Sequence, residues 1–306
     1  DYLDYLDYLD YLDYLDYLKM PEGPEVTIIA EGLNKELNHK LVTNIEFNDK
    51  SRYGKKVPIG YNDFMIDVLS PYINVKIKSV NNKGKLIYWI FTNGCILLQT
   101  LGMSGGWFHK SKKHSGVILS VMTTINSSIE NKLYFDDLRH FATFKFLHPD
   151  NAQKELNDKL KTIGPDILND NSFKVNDFIL ILKKNNNQKR LINKVLVDQK
   201  TISGIGNYLR SEILYHAKIS PHRLVNTLTD NEMKQLFKSS KLKIIGSFNI
   251  GGASIRHYSD IEDKKGLFEF KMEVYGKKKD KLGNTVNADK IQNDGQTTYW
   301  VPNVQI

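Results

Sequence analysis

The sequence predicts an α+β protein: an N-terminal helix, an antiparallel β-sandwich, then a mostly helical domain that ends in strand-like runs. Three observations carry this. Apolar residues recur at helical spacing in VTIIAEGLNKEL, at Val26, Ile29, Leu33 and Leu37. From about residue 41 to 148, short alternating runs are separated by Gly, Asn and Ser, which is the pattern of antiparallel strands. From about residue 152 the helical period returns.

The elements follow in chain order. Residues 1–18 are six copies of Asp-Tyr-Leu, a period of three that fits neither helix nor strand. Residues 1–20 read as a low-complexity leader or tag, too acidic for a secretory signal and too short and polar to span a bilayer. The 286 residues from Pro21 suggest two domains, 21–150 and 151–306, with the boundary at HPDN near residues 149–152. Pro24 suits the first turn of the first helix, and Glu22 and Glu25 suit its positive N-terminal end. NVKIKSV, KLIYWIFT, GCILLQT, GVILSVMTT and KLYFDD read as strands. NAQKELNDKLKTIG, VNDFILILKKN, RLINKVLVDQ, GNYLRSEILYHA and DNEMKQLFKSSKLKIIGSF read as helices. FEFKMEVYG and TTYWVPNVQI read as strands around a polar loop.

Charge and cysteine content narrow the function. The chain carries 43 Lys and Arg against 35 Asp and Glu, a net +8. The leader holds six Asp and one Lys, so the remainder holds 42 basic and 29 acidic residues, or +13. That surplus points to a polyanionic partner such as nucleic acid, with solubility as the plain alternative. No run is long and apolar enough to span a membrane. The single cysteine, Cys95, excludes an internal disulfide and a multi-cysteine zinc site. It lies in the apolar run CILLQTLGM and reads as a buried structural thiol.

KTISGIGNYLRSEILYH places two glycines around Ile205 just before a helical segment. Such a turn leaves backbone N–H groups at a helix N-terminus, which suits a phosphate; a plain turn between packed helices is the commoner use. The wider pattern is more specific. PEGPEV at 21–26, GK at 84–85, LGMSG at 101–105, DLRHFATF at 137–144, IGPD at 163–166 and DQKTISGIGNY at 198–208 occur in one order. This set resembles the formamidopyrimidine-DNA glycosylase/endonuclease VIII family of base-excision repair enzymes, over nearly all of residues 21–306.

The resemblance implies a site residue by residue. Pro21 would be the nucleophile, its secondary amine forming an iminium with the sugar. Inside a chain the same proline is a tertiary amide, so the amine exists only once residues 1–20 are removed. Glu22 would be the partner acid/base and Glu25 a supporting residue at the helix start. Lys85 would reach the DNA backbone beside the lesion, with Lys83 as the neighbouring alternative. A glycosylase must pull its nucleotide from the stack, and Met103, Arg139 and Phe141 match the residues that fill the gap. The plain readings are core for Met103 and Phe141 and a surface ion pair for Arg139 beside two aspartates. Asn207 would grip phosphate within a helix–two-turn–helix element, with Lys200 and Tyr208 as lesser candidates. Arg256 lies where the family has a loop over the lesion, and His140 is assigned no role.

The C-terminus departs from the family's four-cysteine zinc finger. Val301 and Val304 stand at the last cysteine pair, so no metal or other cofactor is expected. A zincless β-hairpin finger, over about residues 267–306, would fold through Tyr299, Trp300, Val301 and Val304. This resembles the endonuclease VIII-like 1 type and its giant-virus relatives. Gln296 takes the place of the finger's phosphate-binding arginine and cannot form a bidentate guanidinium pair.

The implied activity is a bifunctional DNA glycosylase/AP lyase that removes oxidised pyrimidines such as thymine glycol and 5-hydroxyuracil by β,δ-elimination. The alternatives are an oxidised-purine glycosylase and a non-catalytic lesion-binding protein. The expected partner is double-stranded DNA with oxidised bases or abasic sites. The chain is expected to be a monomer without membrane contact, in a reducing intracellular compartment such as the nucleus or a viral host's cytoplasm.

Overall fold

The periodic run after Pro24 folds as helix α1, Gly23–Leu37, burying Val26, Ile29, Ala30, Leu33 and Leu37 on one face. The computed structural model describes residues 21–48, 51–125, 127–252, 272–291 and 296–306. These fall into two units. One holds Pro21 and Glu25–Lys161; the other holds Glu22–Pro24 and the described residues from Thr162 onward.

The first unit is built on two four-stranded antiparallel sheets. Strand β1 (Leu41–Phe47) is followed by the short helices α2 (Arg52–Lys55) and α3 (Tyr61–Leu69). Then come β2 (Ile77–Lys83), β3 (Leu86–Phe91), β4 (Ile96–Thr100), β5 (Gly106–Phe108), β6 (Ser115–Met122), β7 (Glu130–Asp136) and β8 (Thr143–Leu147). One sheet has the order β1-β6-β7-β5, the other β2-β3-β4-β8. Aromatic rings fill the space between them: Trp89 meets Trp107 at 5.7 Å, and Phe135 meets Phe144 at 5.1 Å. The fully buried Gln99 accepts from both indoles, at 3.0 Å from Trp89 and 3.3 Å from Trp107. Such pairing offsets the cost of burying an amide among rings. Cys95 is buried, and burial first of all pushes its thiol up to about 12, as expected of a structural cysteine.

One feature differs from the sequence expectation. Residues 61–69 form a helix inside the stretch read as strands. Tyr61, Phe64, Met65 and Val68 recur at helical spacing, and Phe64 packs on Phe91 and Phe146 at 4.7 and 4.9 Å. HPDN opens a helix: α4 spans Pro149–Lys161. Its Ala152 and Leu156 pack against Ile96 and Leu147 of the sheet, in a unit that runs to Lys161.

The second unit is helical, with a terminal hairpin. It contains α5 (Val175–Leu182), α6 (Asn185–Gln188), α7 (Ile192–Val197), α8 (Asn207–Ala217) and α9 (Asp230–Asn249). Thr229 and Glu232 form a reciprocal capping box at the start of α9. The turn from α7 to α8 is held by its own DQ pair. Gln199 accepts from Gly204 N–H at 2.9 Å and donates to Ile205 C=O at 2.7 Å. Asp198 accepts from Thr201 Oγ1 at 3.1 Å and pairs with Arg190 at 2.9 Å.

The hairpin β9 (Asn287–Lys290) and β10 (Thr297–Trp300) is antiparallel. Val274, Val286, Val301 and Tyr215 form its core, with Tyr299 and Val304 packed against them. Trp300 does not join that core; it packs on His222 at 4.9 Å and donates to Asp289 at 2.5 Å. Among the described residues no cluster of His, Cys, Asp or Glu could hold a metal. The described part of FEFKMEVYG is not a strand. Its backbone N–H groups at Glu273, Val274 and Tyr275 instead donate to the fully buried Glu212 carboxylate of α8. Lys243 of α9 lies 3.5 Å from Glu212 and 2.6 Å from Glu273, so the buried charge is compensated. No helix among the described residues is long and apolar enough to cross a membrane.

Candidate functional site

In the second unit, Glu22 caps a helix far along the chain. Helix α8 has Gly206 as its N-cap and no side-chain cap of its own. The Glu22 carboxylate fills that role, accepting from Gly206 N–H at 2.7 Å, Tyr208 N–H at 2.8 Å and Leu209 N–H at 3.2 Å. Only 1 % of Glu22 is exposed. Three amide donors and a helix N-terminus favour the anionic carboxylate. Of the Gly-Ile-Gly turn, the Gly206 amide thus binds a carboxylate of the same chain, and the Gly204 amide binds Gln199.

Gly23 makes the approach possible. Its N–H donates to Gly204 C=O at 2.7 Å. A Cβ there would lie 2.9 Å from Gly204 Cα, closer than carbon atoms pack. The glycine of PEGPE is thus required by backbone contact.

Asn207 opens α8. Its side-chain oxygen accepts from the buried Arg210 Nη2 at 2.5 Å, and its side chain also hydrogen-bonds the Tyr275 hydroxyl. Burial, then the Glu22 charge, push the Tyr275 phenol well above its ordinary value, so it stays protonated. Tyr208 is core rather than a surface contact: it is 2 % exposed, and its hydroxyl meets Ser247 Oγ at 3.0 Å. Lys200 is exposed on the same turn, and Gln296, half-buried, immediately precedes β10. Arg256 lies outside the described residues.

In the first unit, Pro21 and Glu25 are buried at the start of the chain's first helix. Thr27 Oγ1 accepts from Asn82 Nδ2 at 2.8 Å, tying α1 to the β2–β3 hairpin. That hairpin turns through Gly84 and Lys85. Lys83 Nζ donates to Leu160 C=O at 3.0 Å, which ties it to the end of α4.

Met103 and Arg139 come together, with Arg139 Nη1 donating to Met103 Sδ at 3.3 Å. Neither neighbouring aspartate is its partner in the way an ion pair would require: Asp137 is fully buried and Asp136 accepts from His114 N–H and Ser115 Oγ. Phe141 is 53 % exposed, unlike a core phenylalanine. Its loop touches the Met103 loop at Gly102, where a Cβ would lie 2.5 Å from Phe141 C. Gly102 has φ +64°, a second reason for glycine. Sequence reasoning missed Asp137, Arg210, Glu212 and Tyr275. Of these, only a buried-charge requirement inside the apolar helix GNYLRSEILYHA was open to inspection.

Comparison with known proteins fits this arrangement. The chain matches the formamidopyrimidine-DNA glycosylase N-terminal domain over residues 20–144, its H2TH domain over 163–259 and its C-terminal domain over 259–306. It is 28% identical over 289 residues to the formamidopyrimidine-DNA glycosylase of Listeria monocytogenes, covering 94% of this chain and 100% of that one. It is 27% identical to that of Mycoplasmopsis pulmonis, covering 94% and 98%. Among solved structures, a Lactococcus lactis FPG mutant in complex with Fapy-dG containing DNA superposes with a TM-score of 0.78 at 24% identity, covering 93% and 99%. The MutM (FPG) protein of Thermus thermophilus gives 0.75 at 23%, covering 93% and 98%.

Proposed function

The chain belongs to the formamidopyrimidine-DNA glycosylase family, and from that premise we propose that Pro21 and Glu22 carry its chemistry. It is a DNA glycosylase with AP lyase activity, acting in base-excision repair. The observation that carries the site reading is the Glu22 carboxylate held by three amides of α8, one residue after Pro21.

In this reading the damaged nucleotide is flipped from the stack. A chain beginning at Pro21 presents a secondary ammonium, and the anionic Glu22 takes its proton. The free amine then attacks C1′, the bond to the damaged base breaks and the base leaves with the amine's remaining proton, and Glu22 returns its proton to the ring oxygen as the C1′–O4′ bond opens to the iminium. The iminium acidifies the neighbouring sugar carbon. Loss of that proton expels the 3′ phosphate, and a second elimination expels the 5′ phosphate. Asn207 and Lys85 hold the backbone, and Met103, Arg139 and Phe141 fill the gap. No metal or cofactor enters any step. The protein works as a monomer in a reducing compartment that contains DNA.

For the lesion, we favour oxidised pyrimidines, supported by the PEG start and the apolar finger core of the endonuclease VIII-like 1 type. The second reading is an oxidised purine, favoured by the name its matched relatives carry. Borohydride trapping tests both, on duplexes with one 5-hydroxyuracil or one formamidopyrimidine, using this chain and one beginning at Pro21. Cross-linking by the trimmed chain alone supports Pro21. Equal cross-linking by both chains assigns the attack to a lysine such as Lys85. Binding without cross-linking by either supports a lesion-binding protein. The duplex that reacts faster fixes the lesion class.

A further inference from the structure

The loop after β4 carries Met103 and the loop after β7 carries Arg139 and Phe141. One buried carboxylate joins them. Asp137 is 0 % exposed. Its Oδ1 accepts from Ser104 Oγ at 2.6 Å; its Oδ2 accepts from Ala142 N–H at 3.0 Å and from Tyr53 Oη at 2.5 Å. Ser104 in turn accepts from Arg139 N–H at 3.1 Å. The Asp137 backbone carbonyl accepts from His140 N–H at 3.3 Å, at a residue held at φ +53°. The half-buried Met103 and Arg139 and the exposed Phe141 thus hang from a closed set of buried bonds, anchored to the unit's interior through Tyr53. Burying a carboxylate is costly, and leaving any of these donors unpaired adds to the cost, so the loops are strongly bound to one arrangement.

We infer that Asp137, acting through Ser104, is a positioning residue that sets Met103, Arg139 and Phe141 as one preformed wedge, so that gap filling in DNA requires no reordering of either loop. This rests on the gap-filling reading of those three residues. It assigns to the DDLRHF stretch a second role: Arg139 and Phe141 reach out, and Asp137 fixes where they reach. Preformed loops conserve binding free energy that ordering would otherwise consume.

The test uses the full chain and a duplex with one tetrahydrofuran abasic analogue opposite 2-aminopurine, compared with an undamaged duplex. Binding is followed by anisotropy and the orphaned base by its fluorescence. Ser104→Ala removes the hydrogen bonds by which Asp137 and Arg139 hold the Met103 loop, and its thermal melt is recorded to separate this from a loss of fold. The expected result is a loss of preference for the abasic duplex of roughly tenfold, the scale of a modest misplacement. Affinity for the undamaged duplex should stay within about twofold, because phosphate contacts dominate it. Ser104→Thr, which keeps the hydroxyl, should restore the preference. Asp137→Ala should lose more of it, with its thermal melt recorded alongside. The inference is overturned if Ser104→Ala keeps the preference, if both affinities fall in parallel, or if Ser104→Thr behaves like Ser104→Ala. A wild-type chain with no preference and no 2-aminopurine response overturns the gap-filling reading itself, and this inference with it.

Discussion

Glu22 and Tyr208, 186 residues apart, are joined by a 2.8 Å hydrogen bond from the Tyr208 backbone N–H to the Glu22 carboxylate. The bond makes the second residue of PEGPE the cap of α8. It thereby fixes the position and charge of the group next to Pro21.

Glu22→Gln should therefore slow base excision, with some loss of stability that a thermal melt records, because its NH2 faces a buried helix N–H. The amide keeps one acceptor for the helix but cannot exchange a proton. In a chain beginning at Pro21, single-turnover excision should fall roughly 10²-fold or more, the usual worth of a general acid/base. DNA affinity should change by no more than a few-fold. An unchanged excision rate would assign the proton transfers elsewhere.

The hairpin should be indifferent to chelators and sensitive to its apolar core. EDTA should leave the melting temperature unchanged, since no metal cluster exists among the described residues. Val301 is fully buried against Tyr215, Val274 and Val286. Val301→Ala should cost about 2 kcal/mol in denaturant unfolding, from lost transfer energy plus the cavity. A chelator-dependent melt would contradict the metal-free hairpin.

Helix α9 should lose a stabilising interaction in acid. The Arg223 guanidinium beside Glu232, helped by the Thr229 N–H and hydroxyl, holds the Glu232 carboxyl down to about 2 from the usual 4.5. A carboxyl whose value is depressed on folding stabilises above its unfolded value and ceases to do so as pH falls through its folded one. The melting-temperature gap between wild type and Glu232→Gln should be full above pH 4.5 and should close as pH approaches 2. A gap constant over that range would show that the ion pair contributes nothing.

Gln296→Arg should tighten DNA binding. A charge-assisted phosphate contact is worth roughly 1.5–3 kcal/mol, which is about tenfold or more in affinity. The slope of log affinity against log salt should steepen by about one. An unchanged slope would mean that residue 296 does not reach phosphate.

Much of this protein was legible along the chain. The 26/29/33/37 spacing gave α1, and the alternating runs gave β2, β3, β4, β6 and β7. Helix α3 was also legible, at 61/64/65/68, but was hidden among strand-like neighbours. Pro149 opens a helix two residues after β8 ends, and only packing on Ile96 and Leu147 decides which side that helix joins.

By itself the sequence determined most element types, the order of the motifs and the presence of a single cysteine, because periodicity and residue chemistry are local properties. Tertiary structure decided the rest. It gave the amides at the start of α8 to Glu22, tied Lys83 to the carbonyl of Leu160, and hung two loops from Asp137. Each of these is a hydrogen bond between residues far apart in the chain. Its existence depends on which polar groups burial leaves needing a partner, and no local pattern encodes that.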